Sequence, residues 1–160
     1  MSEATIRAAL KTIIDDVADS GIVHDYERFA DTWDDFLTLF KTTISGNNVI
    51  RGWTITCESI PVTPFYHSGN RETGNDWELR YRFRYYHGLD DANASEKAAI
   101  AIVIAVMKAL NNASTIETGT GIITPEKVAQ CDVFEPRTYG GVLCHYAEVR
   151  QSIFTQDSGV

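Results

Sequence analysis

The residue types that most often carry chemistry are scattered along this chain of 160 residues. Four histidines are present: His24, His67, His87 and His145. They show neither the H-E-x-x-H motif nor a pair four residues apart, so their spacing indicates no metal site. Cys144 and His145 are neighbours, but adjacent residues of a strand point to opposite faces, so they cannot act as a nucleophile and its base.

The cysteines, adjacent acids and glycines also form no recognisable site. Cys57, Cys131 and Cys144 include no C-x-x-C pair, and we expect them to be reduced, buried or half-buried thiols. Adjacent aspartates occur only at predicted helix ends or turns, where carboxylates are usually solvated rather than set up for acid-base catalysis. The segment TGTGII has no lysine at P-loop spacing. We therefore expect no catalytic residue, no cofactor and no metal, and a protein that is not an enzyme.

One stretch, DWELRYRFRYYHGLDD at 76–91, does have an informative pattern. In a strand its residues alternate between two faces, and the residues of the apolar face are Trp77, Leu79, Tyr81, Phe83 and Tyr85. Arg80, Arg82 and Arg84 then stand in a row on the opposite face, where they repel one another unless carboxylates or phosphates lie among them. We call these three residues the arginine row.

Two explanations of the arginine row remain open. Acids of the same chain, such as Glu58 on the preceding predicted strand, could neutralise it. Alternatively the row belongs to an interface, together with Arg71 and Tyr66, and meets carboxylates of a partner protein or a passing nucleic-acid backbone. The chain has 22 acidic and 14 basic residues and a net charge of -8, which disfavours a general duplex-DNA binder.

The elements that position these residues follow from hydrophobic periodicity. The pattern predicts a helix from Ser2 to the Ser20-Gly21 stop and a short helix beginning near Thr32. A strand over 49–60 and the arginine-bearing strand follow. A long helix over 94–111 then leads to two final strands around a turn at 137–141. This order predicts an α+β fold with an antiparallel or mixed four-stranded sheet, one long helix packed on it and N-terminal helices.

The chain is predicted to form a single domain over 1–160, with projecting loops at about 61–75 and 111–125 and a frayed tail at 156–160. The long helix is apolar around nearly its whole circumference, so we expect it to be covered on a second side by the long loops or by a neighbouring subunit. The longest apolar run, Ala98 to Met107, is too short to span a membrane, and the N-terminus does not resemble a secretory signal. We expect synthesis in the cytoplasm and no membrane partner.

Two segments carry a resemblance to a known family. IVHDYERFADTWDDFLTLF and the following IRGWTITCES resemble a group of small Mu-like prophage proteins encoded among tail genes. The order of helices and strands over roughly 6–154 resembles the tail terminator proteins of long-tailed bacteriophages. The insertion ERFADTWDDFLTLFK is larger than the minimal fold of that family needs, and the resemblance assigns it no role.

The resemblance implies a virion protein of the tail or neck, made in the host bacterial cytoplasm. Such a protein assembles as a ring, commonly a hexamer, on the last ring of tail tube protein. It stops tube polymerisation and offers a docking surface to the head-completion protein, and DNA passes transiently through its lumen. One alternative is a head-tail joining or tail-completion connector, and a second is a small nucleic-acid-binding or ligand-binding module.

Overall fold

The computed structural model describes residues 2–28, 30–66, 73–113, 116–118, 121–125, 128–139 and 141–158. Its helices are α1 (Glu3–Asp15), α2 (Trp33–Phe40) and α3 (Ser95–Asn112). Its strands are β1 (Ile22–His24), β2 (Lys41–Ile44), β3 (Asn47–Ser59), β4 (Val62–Tyr66), β5 (Thr73–Gly88), β6 (Ile116–Thr118), β7 (Gly121–Pro125), β8 (Gln130–Tyr139) and β9 (Val142–Ser158). The fold is α+β.

The sheet is mixed and larger than the four strands that the sequence predicts. Along its main path the strands follow the order β1-β3-β5-β9-β7-β6. β4 pairs with the first part of β5, β8 pairs with the first part of β9, and β2 forms a hairpin with β3. Only β1 and β3 run parallel among the described strand pairs, and the others are antiparallel. The α+β class and the mixed sheet are confirmed, whereas the strand number was wrong.

Strands occupy much of the two segments that were expected to be loops. β4 pairs with β5 from Val62↔Trp77 to Tyr66↔Thr73, so the described residues on either side of 67–72 in the predicted loop at 61–75 belong to paired strands. β6 and β7 form a second hairpin within 111–125. Pro64, which suggested a loop, is accommodated because β4 pairs with no described strand other than β5, and an edge strand tolerates the loss of an N–H donor.

The C-terminal tail and the last predicted turn also differ from expectation. β9 continues to Ser158, which pairs with Gly74, so this part of the tail predicted to fray is held in the sheet. The turn predicted at 137–141 is tighter, because Tyr139 already pairs with Val142 across it. α3 begins after Ala94, whose backbone is left-handed at φ 51°, and no side-chain hydrogen bond caps its first turn.

One face of the sheet packs against α1 and α3. The predicted apolar stripe of α1 is confirmed, since Ile6, Leu10 and Ile14 are fully buried, and Ser2 caps the helix by accepting from the Thr5 N–H at 3.3 Å. The core contributed by β5 consists of Leu79, Tyr81, Phe83 and Tyr85. These four residues belong to the predicted apolar face, so the predicted alternation along β5 is correct.

The opposite face of the sheet carries a second, smaller core under α2. Phe36, Leu39 and Phe40 pack there on Tyr86, Cys144 and Tyr146. The Thr32 hydroxyl caps α2 at the position the sequence predicts, accepting from the Asp35 N–H at 3.2 Å. The insertion that the resemblance left without a role therefore covers one end of this sheet face.

Candidate interface on the charged sheet face

The arginine row lies on the sheet face that carries α2, beside the small aromatic core. Strand alternation turns Arg80, Arg82 and Arg84 away from the buried residues of β5, as predicted. The Arg80 side chain is 50 % exposed, whereas those of Arg82 and Arg84 are 23 % exposed. The row is therefore more enclosed at Arg82 and Arg84 than at Arg80.

Each arginine of the row meets a carboxylate of the same chain. Arg80 pairs with Glu78 at 2.9 Å, and Arg84 pairs with Glu27 at 2.8 Å. Arg82 forms an ion pair with Glu58, the acid that the sequence proposed for this role. A bulge in β3 at Glu58 breaks the register between Cys57 and Ser59, and this irregular residue carries the pairing carboxylate. The intrachain explanation of the arginine row thus has direct geometric support.

Glu148 on β9 is the point at which several of these charges converge. Its carboxylate accepts a hydrogen bond from the Tyr146 hydroxyl and lies within 3.8 Å of the guanidinium groups of Arg82, Arg137 and Arg150. Burial alone would raise the pKa of Glu148. The Tyr146 hydroxyl and the three arginines outweigh burial and hold that pKa below its usual value.

β8 adds the remaining charges of this face. The Arg137 guanidinium lies over the Tyr146 ring, 4.1 Å from its centroid, and it also pairs with Glu135. Arg150 of β9 pairs with Asp132 at 2.9 Å. Asp132 lies at a bulge in β8, between Cys131 and Val133. Sequence reasoning missed these partners because they come from strands about 50 residues beyond the row.

We define the charged face by the residues of this network: Arg80, Arg82, Arg84, Arg137, Arg150, Glu27, Glu58, Glu78, Asp132, Glu135 and Glu148. Its five arginines are matched by six carboxylates, so the network carries no excess of positive charge. A surface that attracts a nucleic-acid backbone requires such an excess, because its affinity comes from neutralising phosphates. The balance of charge therefore favours a structural role for the arginine row.

The structure describes the position of only one of the other two predicted interface residues. Tyr66 ends β4 opposite Thr73, and Thr73 lies seven residues before Arg80 on the same strand. At about 3.3 Å per strand residue, that separation is roughly 23 Å. Arg71 lies outside the described residues.

An open depression of about 380 Å³ lies between the charged face and α2. Its lining includes Arg28, Phe36, Arg84, Tyr86, Arg137 and Tyr139. Burial raises the pKa of Tyr86 to about 12, so its hydroxyl stays protonated at neutral pH. The depression offers hydrogen-bond donors and aromatic rings but no activated nucleophile.

A buried polar cluster lies on the sheet face that packs against α1 and α3. It contains two of the histidines that are scattered in the sequence. His87 and His145 are cross-strand neighbours with ring centroids 6.1 Å apart. The Tyr85 hydroxyl contacts His87 Nδ1 at 2.8 Å, and Ser95 Oγ contacts His145 Nε2 at 2.9 Å. Burial, Arg51 and His145 lower the pKa of His87 to about 4. With every one of these rings and hydroxyls enclosed, the cluster offers no access to a substrate.

The remaining chemistry of the described residues is limited. They contain no group of three or more His, Cys, Asp or Glu side chains arranged to hold a metal ion. All three cysteines are free, and they are half-buried or buried, as predicted. Burial raises the pKa of Cys144 to about 11, so this thiol stays protonated. No described helix has both the length and the apolar character needed to cross a membrane.

α3 carries the other surface of interest. On its outward side Ile100 and Ile104 are 39 % and 46 % exposed, although its inward side is fully packed on the sheet. We call the outward residues Lys97, Ile100, Ala101, Ile104 and Lys108 the α3 outer face. Among the described residues no loop covers these two isoleucines. The sequence predicted cover on a second side of this helix, and in the isolated chain that side is open.

Comparison with known proteins assigns the chain to no family. No protein-family model matches it. No curated protein shows significant sequence similarity to it.

Proposed function

We propose that this protein is a structural subunit of a phage tail, a tail terminator that forms a homo-oligomeric ring on the end of the tail tube. The ring stops polymerisation of the tube and provides the docking surface for the head-completion protein. The observation that carries this proposal is the α3 outer face, where Ile100 and Ile104 remain exposed on a helix whose inward side is packed on the sheet. Association with further copies of the chain would remove this apolar surface from water.

The long strands support a role in joining successive rings. β5 and β9 contain 16 and 17 residues, and a strand of that length extends over roughly 50 Å. The part of β5 that pairs with β4 lies before Leu79, the first β5 residue of the main core. A hairpin that extends past the core can reach a neighbouring ring of tube or connector subunits.

The charge balance of the charged face agrees with a lumen through which DNA passes. A conduit must hold DNA weakly, and arginines already paired with carboxylates gain little from phosphates. The same balance weighs against the alternative of a small nucleic-acid-binding module. The connector alternative predicts the same subunit fold and the same ring, so an experiment on tail length must separate it from the terminator.

The test is tail length in the phage or prophage that encodes this chain, after deletion of its reading frame. Negative-stain electron microscopy of lysates should show headless tubes that are over-long or irregular. Tubes of normal length that fail to join heads would instead establish the connector role. Normal infectious particles would overturn both, and the chain should then be tested for oligonucleotide binding with steep salt dependence.

A further inference from the structure

The α3 outer face is apolar at its centre and carries a lysine at each end, with the exposed Glu96 beside Lys97. Lys97 and Lys108 flank Ile100 and Ile104, and neither lysine forms an ion pair with any residue that the structure describes. The chain as a whole has a net charge of -8, so this basic rim differs in sign from most of the molecule. A partner that covers the face should therefore present acids around a small apolar contact.

α2 presents such a surface. Its inward side chains, Phe36 and Phe40, are buried, so Asp34 and Thr38 lie on the outward side together with the half-buried Leu37. Asp31 precedes the helix and is also exposed. Neither Asp31 nor Asp34 forms an ion pair within the described parts of the chain. We call Asp31, Asp34, Leu37 and Thr38 the α2 outer face.

The edges of the sheet are poorly suited to joining subunits by strand pairing. β8 contains Pro136 and bulges at Asp132, and β4 contains Pro64. Proline interrupts the row of N–H donors, and bulges and charges distort an edge so that it does not extend into another sheet. β1 and β6, the two ends of the main path, have three residues each. Contacts between copies should therefore use side-chain surfaces.

From these observations we infer that the α3 outer face of one copy binds the α2 outer face of the next copy, with Lys97 and Lys108 opposite Asp31 and Asp34. This inference rests on the proposed ring and names its subunit interface. α2 and α3 pack on opposite faces of the sheet, so the contact joins two different surfaces. Such heterologous contacts generate closed rings when the rotation between copies closes, and filaments when it does not.

The test uses charge reversal on each surface. Lys97→Glu with Lys108→Glu reverses the α3 outer face, and Asp31→Lys with Asp34→Lys reverses the α2 outer face. Each double variant should associate at least roughly tenfold more weakly than the wild type, measured by light scattering after size exclusion and by native mass spectrometry. Circular dichroism and urea unfolding should show that both variants remain folded.

Control variants change the net charge equally at positions outside both surfaces, which are exposed except for Lys11, half-buried and paired with Asp15. Asp16→Lys with Asp91→Lys matches the α2 variant, and Lys11→Glu with Lys41→Glu matches the α3 variant. Both control variants should assemble like the wild type. Equal losses in control and test variants would show that net charge alone governs association, and would overturn the interface.

Mixing the two variants tests whether charge complementarity between the two surfaces holds the copies together. The two test variants should reassemble when mixed in equal amounts, because each reversed surface then meets a reversed partner. Failure of the mixture to assemble, or normal assembly of the α2 variant alone, would overturn the inference. A wild-type chain that stays monomeric at every concentration would also overturn it, whereas the proposed function would still be decided by tail length after deletion.

Discussion

At the residue scale, Glu148 holds the charged face together. It is 7 % exposed and accepts from Tyr146 while three guanidinium groups surround it. We predict that Glu148→Gln lowers the free energy of unfolding at neutral pH by about 2–4 kcal/mol, because it removes a buried anion shared by Arg82 and the more exposed Arg137 and Arg150. Urea unfolding of the variant and the wild type at pH 7 measures this difference.

Glu135→Gln provides the matched control, since Glu135 pairs with Arg137 on the same face but its side chain is 48 % exposed. Glu135→Gln should lower the free energy of unfolding by less than about 1 kcal/mol. The folded pKa of Glu148 is depressed, so its contribution is present above the unfolded pKa of about 4.3 and is lost as pH falls through the lower folded value. Equal effects of the two substitutions would contradict the central role of Glu148.

His87 gives a prediction in a different pH range. Its pKa falls to about 4 in the folded chain, because burial, Arg51 and His145 all disfavour the imidazolium. The unfolded chain therefore binds a proton first, near pH 6.5, and stability falls between about pH 6.5 and pH 4 by on the order of 3 kcal/mol. His87→Gln should flatten the stability profile over this range. An unchanged profile would mean that other groups dominate it.

Some of these residue relationships were predictable from the sequence and others were not. The alternation of Arg80, Arg82 and Arg84 with an apolar face is a local property of one strand, and Glu58 lies on the strand expected beside it. Glu148 is 64 positions beyond Arg84, and these two residues are paired only by the β5–β9 register. Charge partners set by long-range register are invisible to periodicity within one segment.

At the element scale, α2 requires close contact with the sheet, and Gly52 provides it. A Cβ at Gly52 would lie 2.5 Å from the Ile22 carbonyl oxygen and 2.8 Å from Phe40 Cδ1. We predict that Gly52→Ala lowers the free energy of unfolding by about 1–3 kcal/mol or more, because β1 and α2 must both shift to admit the methyl group. Thermal and urea unfolding should show the loss.

Gly46→Ala is the comparison for this element. A Cβ there meets nothing within 4 Å, although the backbone lies at φ +81°. Gly46→Ala should lower the free energy of unfolding only by the backbone strain, about 1–2 kcal/mol, and should not change the packing of α2. Near-ultraviolet circular dichroism from the aromatic residues under α2 should change in Gly52→Ala and remain unchanged in Gly46→Ala. Identical spectra for the two variants would contradict the packing account.

The strands that sequence reasoning found are the long ones with regular alternation, β3, β5, β8 and β9. The strands it missed have three to five residues each, and they exist because a longer neighbour supplies their hydrogen bonds. β4 illustrates this, since Pro64 sits within it opposite Asn75 of β5. Tertiary pairing outweighs local propensity in such segments.

At the scale of the whole molecule, two surfaces have opposite characters. The charged face is neutralised by residues of its own chain, so it does not require a partner. The α3 outer face exposes Ile100 and Ile104 between two lysines that form no ion pair with any described residue. This face therefore gains more than the charged face from binding a partner. The sequence predicted that α3 needs a second cover, but periodicity could not specify which surface supplies it.

The central claim is that this chain caps a growing tube, and reconstitution tests it most directly. Tail tube protein of the phage that encodes this chain is polymerised in vitro with substoichiometric amounts of this chain. Electron microscopy measures the tube lengths, and quantitative labelling measures the number of bound copies of the chain. We predict shorter tubes with a fixed number of bound copies per tube end, whatever the tube length. An unchanged length distribution, or binding along the sides in proportion to tube length, would contradict the account.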